Sequence, residues 1–254
     1  MGFFLYIEKV NIFNMAFHYS PKIVTNNLKM YLDPANIRSY VSTGDIIYDL
    51  SPVVGLTYSF TLQASWNSSN GGVFSFPDPI TTTASMISSG VYQNSSSEMT
   101  IDVWFKRTKS NNSYNMIWSY YLPYLAFTPN NKFYLSWRHD NITENQRVLE
   151  STNTYSNNVW YNVCCTITNS VLENISFAKI YVNGVLENTS PTYTGVPQSY
   201  VPPVGTRFML GNWSYASQAY PFEGSISNFK LYDRILSDSE ILQNFNALKS
   251  RFGL

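Results

Sequence analysis

Apolar residues recur at every second position through most of this chain and at helical spacing only near its end. Leu28, Met30 and Leu32 alternate with Lys29 and Tyr31 and predict a first strand, and Ile46, Tyr48 and Leu50 alternate before Ser51-Pro52. In MTIDVWFKR, residues 99–107, Ile101, Val103 and Phe105 share one face, while Thr100, Asp102, Trp104 and Lys106 share the other. Alternation this clean predicts a strand with one face inward. Met116 to Phe127 and Lys132 to Trp137 read as a hairpin turning at Pro129-Asn130-Asn131, and Arg138 to Arg147 as a polar connection. Trp160 to Ile167 places Tyr161, Val163, Cys165 and Ile167 together, and Lys179 to Leu186 carries Asn183-Gly184, a hairpin signal because both turn positions need positive φ. Residues 190–206, with four prolines, read as a loop.

The period changes only at the end. Ile226, Phe229 and Leu231, offset by three and then two, predict a last strand with a bulge. Ser237 and Glu240 have the spacing of a capping box, and Ile241, Leu242, Phe245 and Leu248 follow at helical spacing. Gly253 lies where a C-cap belongs. A helix is therefore expected over 238–251, lying along a sheet edge.

Composition narrows the class. Of 254 residues, 17% are aromatic and 13% charged, so the surface must be covered largely by Asn, Ser and Thr, as suits a β protein rich in turns. The formal net charge is zero, which argues against a nucleic-acid binder. No stretch reaches the roughly 20 apolar residues of a membrane span. The apolar start lacks a basic n-region and a small-residue cleavage site, so no signal peptide is expected. Cys164 and Cys165 are the only cysteines; as strand neighbours they point to opposite faces, which predicts buried free thiols and folding in a reducing compartment. Residues 1–20 read as an extension or docking arm and 21–254 as one domain.

The closing segment, a glycine-led strand, then Tyr232-Asp233-Arg234, Leu236-Ser237 and a helix through Glu240-Ile241, resembles the last element of laminin-G-like, concanavalin A-like jelly-roll domains. Tyr31-Leu32-Asp33, Tyr48-Asp49-Leu50-Ser51, the Tyr181-Val182-Asn183-Gly184 hairpin after a Trp160-led strand, and Phe208, Leu210 and Gly211 match the family in order from about Met15 onward. The resemblance implies an all-β fold, two antiparallel sheets in a jelly-roll sandwich with a C-terminal packing helix. The segment from Met15 and the ending Arg251-Phe252-Gly253-Leu254 are similar to members found as virus and phage structural proteins. That implies a non-enzymatic virion component, a head decoration, neck or tail-fibre module, assembled in the host cytoplasm. Its expected partners are other virion proteins, further copies of itself in a homo-oligomer, and host-surface glycans, with no nucleic acid and no membrane insertion. The alternative is a carbohydrate-binding adhesion module.

Candidate chemistry is sparse. Glucanases on this sandwich present two carboxylates about 5 Å apart; Glu98 and Asp102 alternate on one strand but lack a third carboxylate, so no catalytic residue is assigned and a glycoside hydrolase is disfavoured. Sugar binding needs aromatic faces beside amides, carboxylates or guanidinium groups. Two loops have that composition: Asn212, Trp213, Tyr215, Gln218 and Tyr220, and Trp137, Arg138 and Asp140. The same loops could instead form a protein interface. No cofactor is expected. Calcium, if bound, has Asp33, Asp45, Asp49 and Asp78 as donors, although Pro77-Asp78-Pro79 stands where the family commonly has an aspartate-rich run.

Overall fold

The cleanly alternating segment becomes a central strand. In a computed structural model of the chain, β7 (Glu98–Arg107) pairs antiparallel with β17 (Gly224–Tyr232) on one side and β12 (Trp160–Thr168) on the other. The structure describes residues 21–52, 57–61, 64–76, 86–91, 98–110, 113–120, 123–138, 146–168, 178–193, 207–212 and 220–254. The expected arm, residues 1–20, lies outside them.

The first sheet continues from β12 through β13 (Ala178–Val182) to β14 (Val185–Leu186). Asn183 and Gly184 make that turn with φ of 51° and 78°, as expected. Beyond β17, the start of the strand pairs with β5 (Val73–Phe76), which pairs with β4 (Ser65–Asn67), and its end pairs with β1 (Leu28–Leu32). The handover falls at the expected bulge, between Ile226 and Phe229. Gly224 opens β17 at φ 146°, and a Cβ there would collide with the Lys106 carbonyl oxygen, so only glycine lets the two strands approach.

The second sheet runs in the order β15 (Thr189–Tyr193), β11 (Gln146–Ser151), β10 (Phe133–Arg138), β9 (Tyr124–Phe127), β8 (Asn115–Ser119), β16 (Arg207–Leu210), β6 (Met86–Val91), β3 (Thr57–Thr61), β2 (Ile46–Tyr48). Between the sheets lies one continuous core including Ile101, Val103, Phe105, Leu125, Phe127, Phe133, Leu135, Ile180, Ile226 and Phe229. Arg107, 1% exposed, enters it at one end. Its guanidinium lies 3.8 Å from the Phe127 ring centroid and donates to Asn157 Oδ1 (2.7 Å) and Asn131 Oδ1 (2.6 Å). With amide partners in place of a carboxylate, burial lowers its pKa to about 10.

Several expectations needed correction. Met116 to Phe127 is two strands, β8 and β9, because the chain turns where the Tyr120 N–H donates to the Pro123 carbonyl. In β2 the buried residue is Ile47; Ile46 and Tyr48 are exposed, so the alternation is shifted by one. Gln146–Ser151 is a strand that begins in the last two residues of the expected polar connection, Arg138 to Arg147, and Thr189–Tyr193 is a strand where the loop 190–206 was expected to start, its Pro191 tolerated because β15 is the edge of the described sheet.

The terminal helix also differs from expectation. Helix α1 (Asp238–Leu248) is followed by a 3₁₀ turn over Lys249–Phe252, and together they cover the outer face of the first sheet instead of following an edge. Trp104 of β7 stacks on Phe252 (4.2 Å, 16°) and Phe245 (5.6 Å, 7°), while Ile241 joins Tyr181, Tyr232 and Leu236. Leu242 is 44% exposed, and Asn244 takes the buried position, accepting the Val24 N–H at 2.8 Å and donating to Tyr232 Oη at 3.1 Å. Arg251 ends the helical layer by donating to Asp33 Oδ1 (2.7 Å), the Asn70 and Gly72 carbonyls and Ser227 Oγ.

The capping box at Ser237 and Glu240 forms as expected, and Glu240 also accepts both Arg234 nitrogens, at 2.6 and 2.8 Å. The Arg234 hydrogen bond holds the Glu240 carboxyl down at about 2. A depressed folded-state pKa stabilises above the ordinary value of 4.5 and is lost as pH falls from there towards 2. Glu240→Gln is therefore expected to flatten the acid limb of stability in that window while leaving neutral-pH folding intact. Arg251→Met, which strands a mostly buried Asp33 carboxylate, should cost about 3 kcal/mol in urea unfolding, against less than about 0.5 for Leu242→Ala.

Candidate binding face

The β9–β10 hairpin turns Leu125, Phe127, Phe133 and Leu135 inward, so Tyr124, Ala126, Tyr134 and Ser136 project from the opposite face of the second sheet. Tyr134 stacks on Tyr124 (6.2 Å, 22°) and meets the edge of Tyr114 at 5.1 Å; Tyr114 in turn meets Tyr220 edge-on at 6.3 Å. All four rings are half-buried. They stand over a floor of buried Met116, Ala126, Ser136 and Val148.

Beside Tyr134, across the strand pair, stands Glu150, whose carboxylate takes the Lys132 ammonium at 3.1 Å. Burial, then the charge of Glu150 and then Tyr220, raise the pKa of the Tyr114 phenol. The face thus joins a row of partly exposed aromatic rings to one ion pair, a combination that can hold the apolar side of a sugar ring and pair its hydroxyls.

The candidates from sequence fall unevenly around this face. Tyr220 is in the row. Asn212 is 4% exposed; its Oδ1 accepts the Tyr220 N–H at 3.1 Å and its carbonyl accepts the Ser119 hydroxyl at 3.0 Å, so its amide closes the base of the loop. Trp213, Tyr215 and Gln218 lie outside the described residues. Trp137 and Arg138 end β10, their backbones paired with Arg147 and Gln146, and Asp140 lies outside the described residues. Both candidate loops therefore leave from strands that border the tyrosine row. Sequence reasoning missed Tyr114, Tyr124 and Tyr134; the signal was present in the alternation, since Tyr124 and Tyr134 are the outward neighbours of Leu125 and Leu135.

The calcium donors do not gather. Asp33, 7% exposed, is committed to Arg251 and also accepts from Tyr31 Oη and Asn228 Nδ2. Asp49 Oδ1 accepts the Tyr31 and Ser51 N–H groups at 2.9 and 2.8 Å, and burial raises the pKa of its carboxyl. Asp45 is exposed and Asp78 lies outside the described residues. Among the described residues no three His, Cys, Asp or Glu side chains converge as a metal site requires. Both thiols are buried and free, with Cys165 in the inter-sheet core and Cys164 under the helix, and burial pushes both pKa values up. No described helix is long and apolar enough to cross a membrane.

The sequence profile of the concanavalin A-like lectin/glucanases superfamily matches residues 80–242. That is more than half of the chain, and the chain belongs to this superfamily. Solved structures share the fold. A Trypanosoma rangeli sialidase in complex with 2-keto-3-deoxy-D-glycero-D-galacto-2,3-difluoro-nononic acid superposes with a TM-score of 0.62 at 13% identity, covering 90% of this chain and 34% of that one. Botulinum neurotoxin type C, which depends on two ganglioside molecules to enter cells, gives 0.63 at 13% identity, covering 89% and 52%. The binding domain of botulinum neurotoxin DC, in complex with rat synaptotagmin II, gives 0.64 at 14% identity, covering 89% and 52%. This chain thus spans between a third and a half of those proteins. No curated protein sequence matches it.

Because Asp33 is committed to Arg251 and the four donors do not gather among the described residues, a chelator is expected to leave the melting temperature unchanged. A rise of several degrees on adding calcium would instead reveal a site built by other residues.

Proposed function

We propose that this chain is a non-catalytic, lectin-like component of a virus or phage particle, a head decoration, neck or tail-fibre module, whose tyrosine face and bordering loops engage host-surface glycans. The observation that carries the reading is the row Tyr124–Tyr134–Tyr114–Tyr220 beside the Lys132–Glu150 pair, on a fold shared with a toxin that depends on gangliosides. The placement on a particle rests on the family-like segment from Met15 and the ending through Leu254. The reading calls for assembly into many copies. Stacking on a few rings binds a sugar weakly, and a particle turns weak sites into avidity.

A catalytic role is disfavoured by the fate of the carboxylate strand. Asp102 has no exposed surface, lies 3.4 Å from the equally buried Lys230 ammonium and accepts from Asn162 at 2.7 Å, so it cannot reach a glycosidic bond. The second reading, a carbohydrate-binding adhesion module working outside any particle, uses the same face. The protein-bound toxin domain supports a third use of it, as a protein interface.

Glycan-array binding by the assembled protein, compared with Tyr134→Ala, tests the proposal. Loss of binding with folding and assembly retained is expected, together with no β-glucan turnover. Binding that survives the substitution moves the site elsewhere, loss of assembly makes the face an interface, and turnover removed by Glu98→Gln would make the protein an enzyme.

A further inference from the structure

On the far side of the sandwich from the tyrosine face, a cavity of about 470 Å³ opens where the helical layer begins. Its floor is Thr166 and Thr168 of β12, one side is Lys179 and Tyr181 of β13, and its roof is the Ile235–Asp238 connection into α1. The register explains why these groups meet. Thr166 pairs with Lys179 on one flank and with Thr100 on the other. The Thr100 hydroxyl accepts the Leu236 N–H at 3.0 Å and donates to the Arg234 carbonyl at 2.7 Å, which fixes the roof over the floor. Tyr181 Oη donates to Asp238 Oδ1 at 2.6 Å and joins the wall to the first helical turn. The walls are therefore strands and a pinned connection, a pre-formed cavity within the size range of small-molecule sites.

The polar groups left over identify the occupant. Thr166 is 2% exposed and lines the cavity, and its hydroxyl, bonded to no described residue, is among the polar groups the cavity opens on. Lys179 makes no ion pair with a described residue, and Asp238 keeps one carboxylate oxygen beyond its bond to Tyr181. One cation and one anion face the same space, which disfavours a charged ligand of either sign. A wholly apolar ligand would offer no partner to the Thr166 hydroxyl or to the two charged groups at the rim. Ile235 and Leu236 supply an apolar surface on the roof. A ring that offers C–H groups on one face and hydroxyls around its rim satisfies all of these groups together.

We propose that this cavity binds a neutral, polyhydroxylated ring the size of a single pyranose, at a site separate from the tyrosine face and independent of the function assigned to it. Titration of the full chain with methyl glycosides of the common hexoses and N-acetylhexosamines, followed by amide NMR shifts, tests it. At least one sugar should shift Thr166, Lys179 and 235–238 saturably. Thr166→Val, which removes the hydroxyl while nearly keeping its shape, should weaken that binding roughly tenfold, about one buried hydrogen bond. Should Thr166→Val not fold, Lys179→Met at an exposed position carries the same expectation. Tyr134→Ala should leave this binding unchanged, which keeps the two sites distinguishable. No saturation by any sugar, shifts that map elsewhere, equal binding by the Thr166 or Lys179 variant, or competition by inorganic phosphate at similar concentration would each overturn the proposal.

Discussion

Lys230 and Asp102 face each other across β17 and β7 with no exposed surface on either, and they share the outer face of the first sheet with Trp104, Asn162, Cys164 and Tyr232. A sheet face carrying rings as large as Trp104 and Tyr232 cannot be left to water on one side. Removing either charge alone would strand the other at a cost of several kcal/mol. It is the rings that require a dry cover, and the chain supplies it from its own C-terminal segment, with the ion pair beneath it. Helix α1 and the turn after it close over β7, β12 and β17, held by the capping box at the front, Asn244 in the middle and Arg251 at the tail. The β17 strand that brings Lys230 to Asp102 leads directly into this cover, so pairing and covering are steps along one continuous segment.

The same requirement divides the molecule into two unlike sides. The first sheet is capped by helix, while in the second sheet the outward positions of β9 and β10 hold half-buried tyrosines. The cavity beside Thr166 lies at the seam where the helical layer starts. Both proposed binding sites thus lie away from the helical cover or at its seam, while Asp102, of the carboxylate strand that a hydrolase on this fold would use, lies beneath it.

How much of this was legible in the sequence depended on whether the signal was local. The β7 alternation, the β17 bulge, the Asn183-Gly184 turn and the Ser237–Glu240 box are set by neighbouring residues, and each was readable in place. The strand Gln146–Ser151 was hidden because only Val148 and Leu149 are apolar in it, and β2 was misjudged because three residues cannot fix a register. That the helix covers a face was not legible, since its apolar stripe fits an edge or a face equally; Asn244 is buried only because Val24 and Tyr232, far apart in the chain, meet it. The tyrosine face escaped notice for a related reason. Its rings come from four separate segments, and attention to loop composition passed over outward positions inside strands.

If the helical layer is the obligatory cover of the Trp104, Tyr181 and Tyr232 rings, it cannot open while the sheet beneath stays intact. Native-state hydrogen exchange measures this directly. The account predicts that the amides of Ile241–Leu248 and those at the centres of β7, β12 and β17 exchange through one shared opening, with the same free energy and the same denaturant dependence. Exchange of the helix through a separate opening several kcal/mol easier, with Asp102 and Lys230 amides still protected, would contradict it.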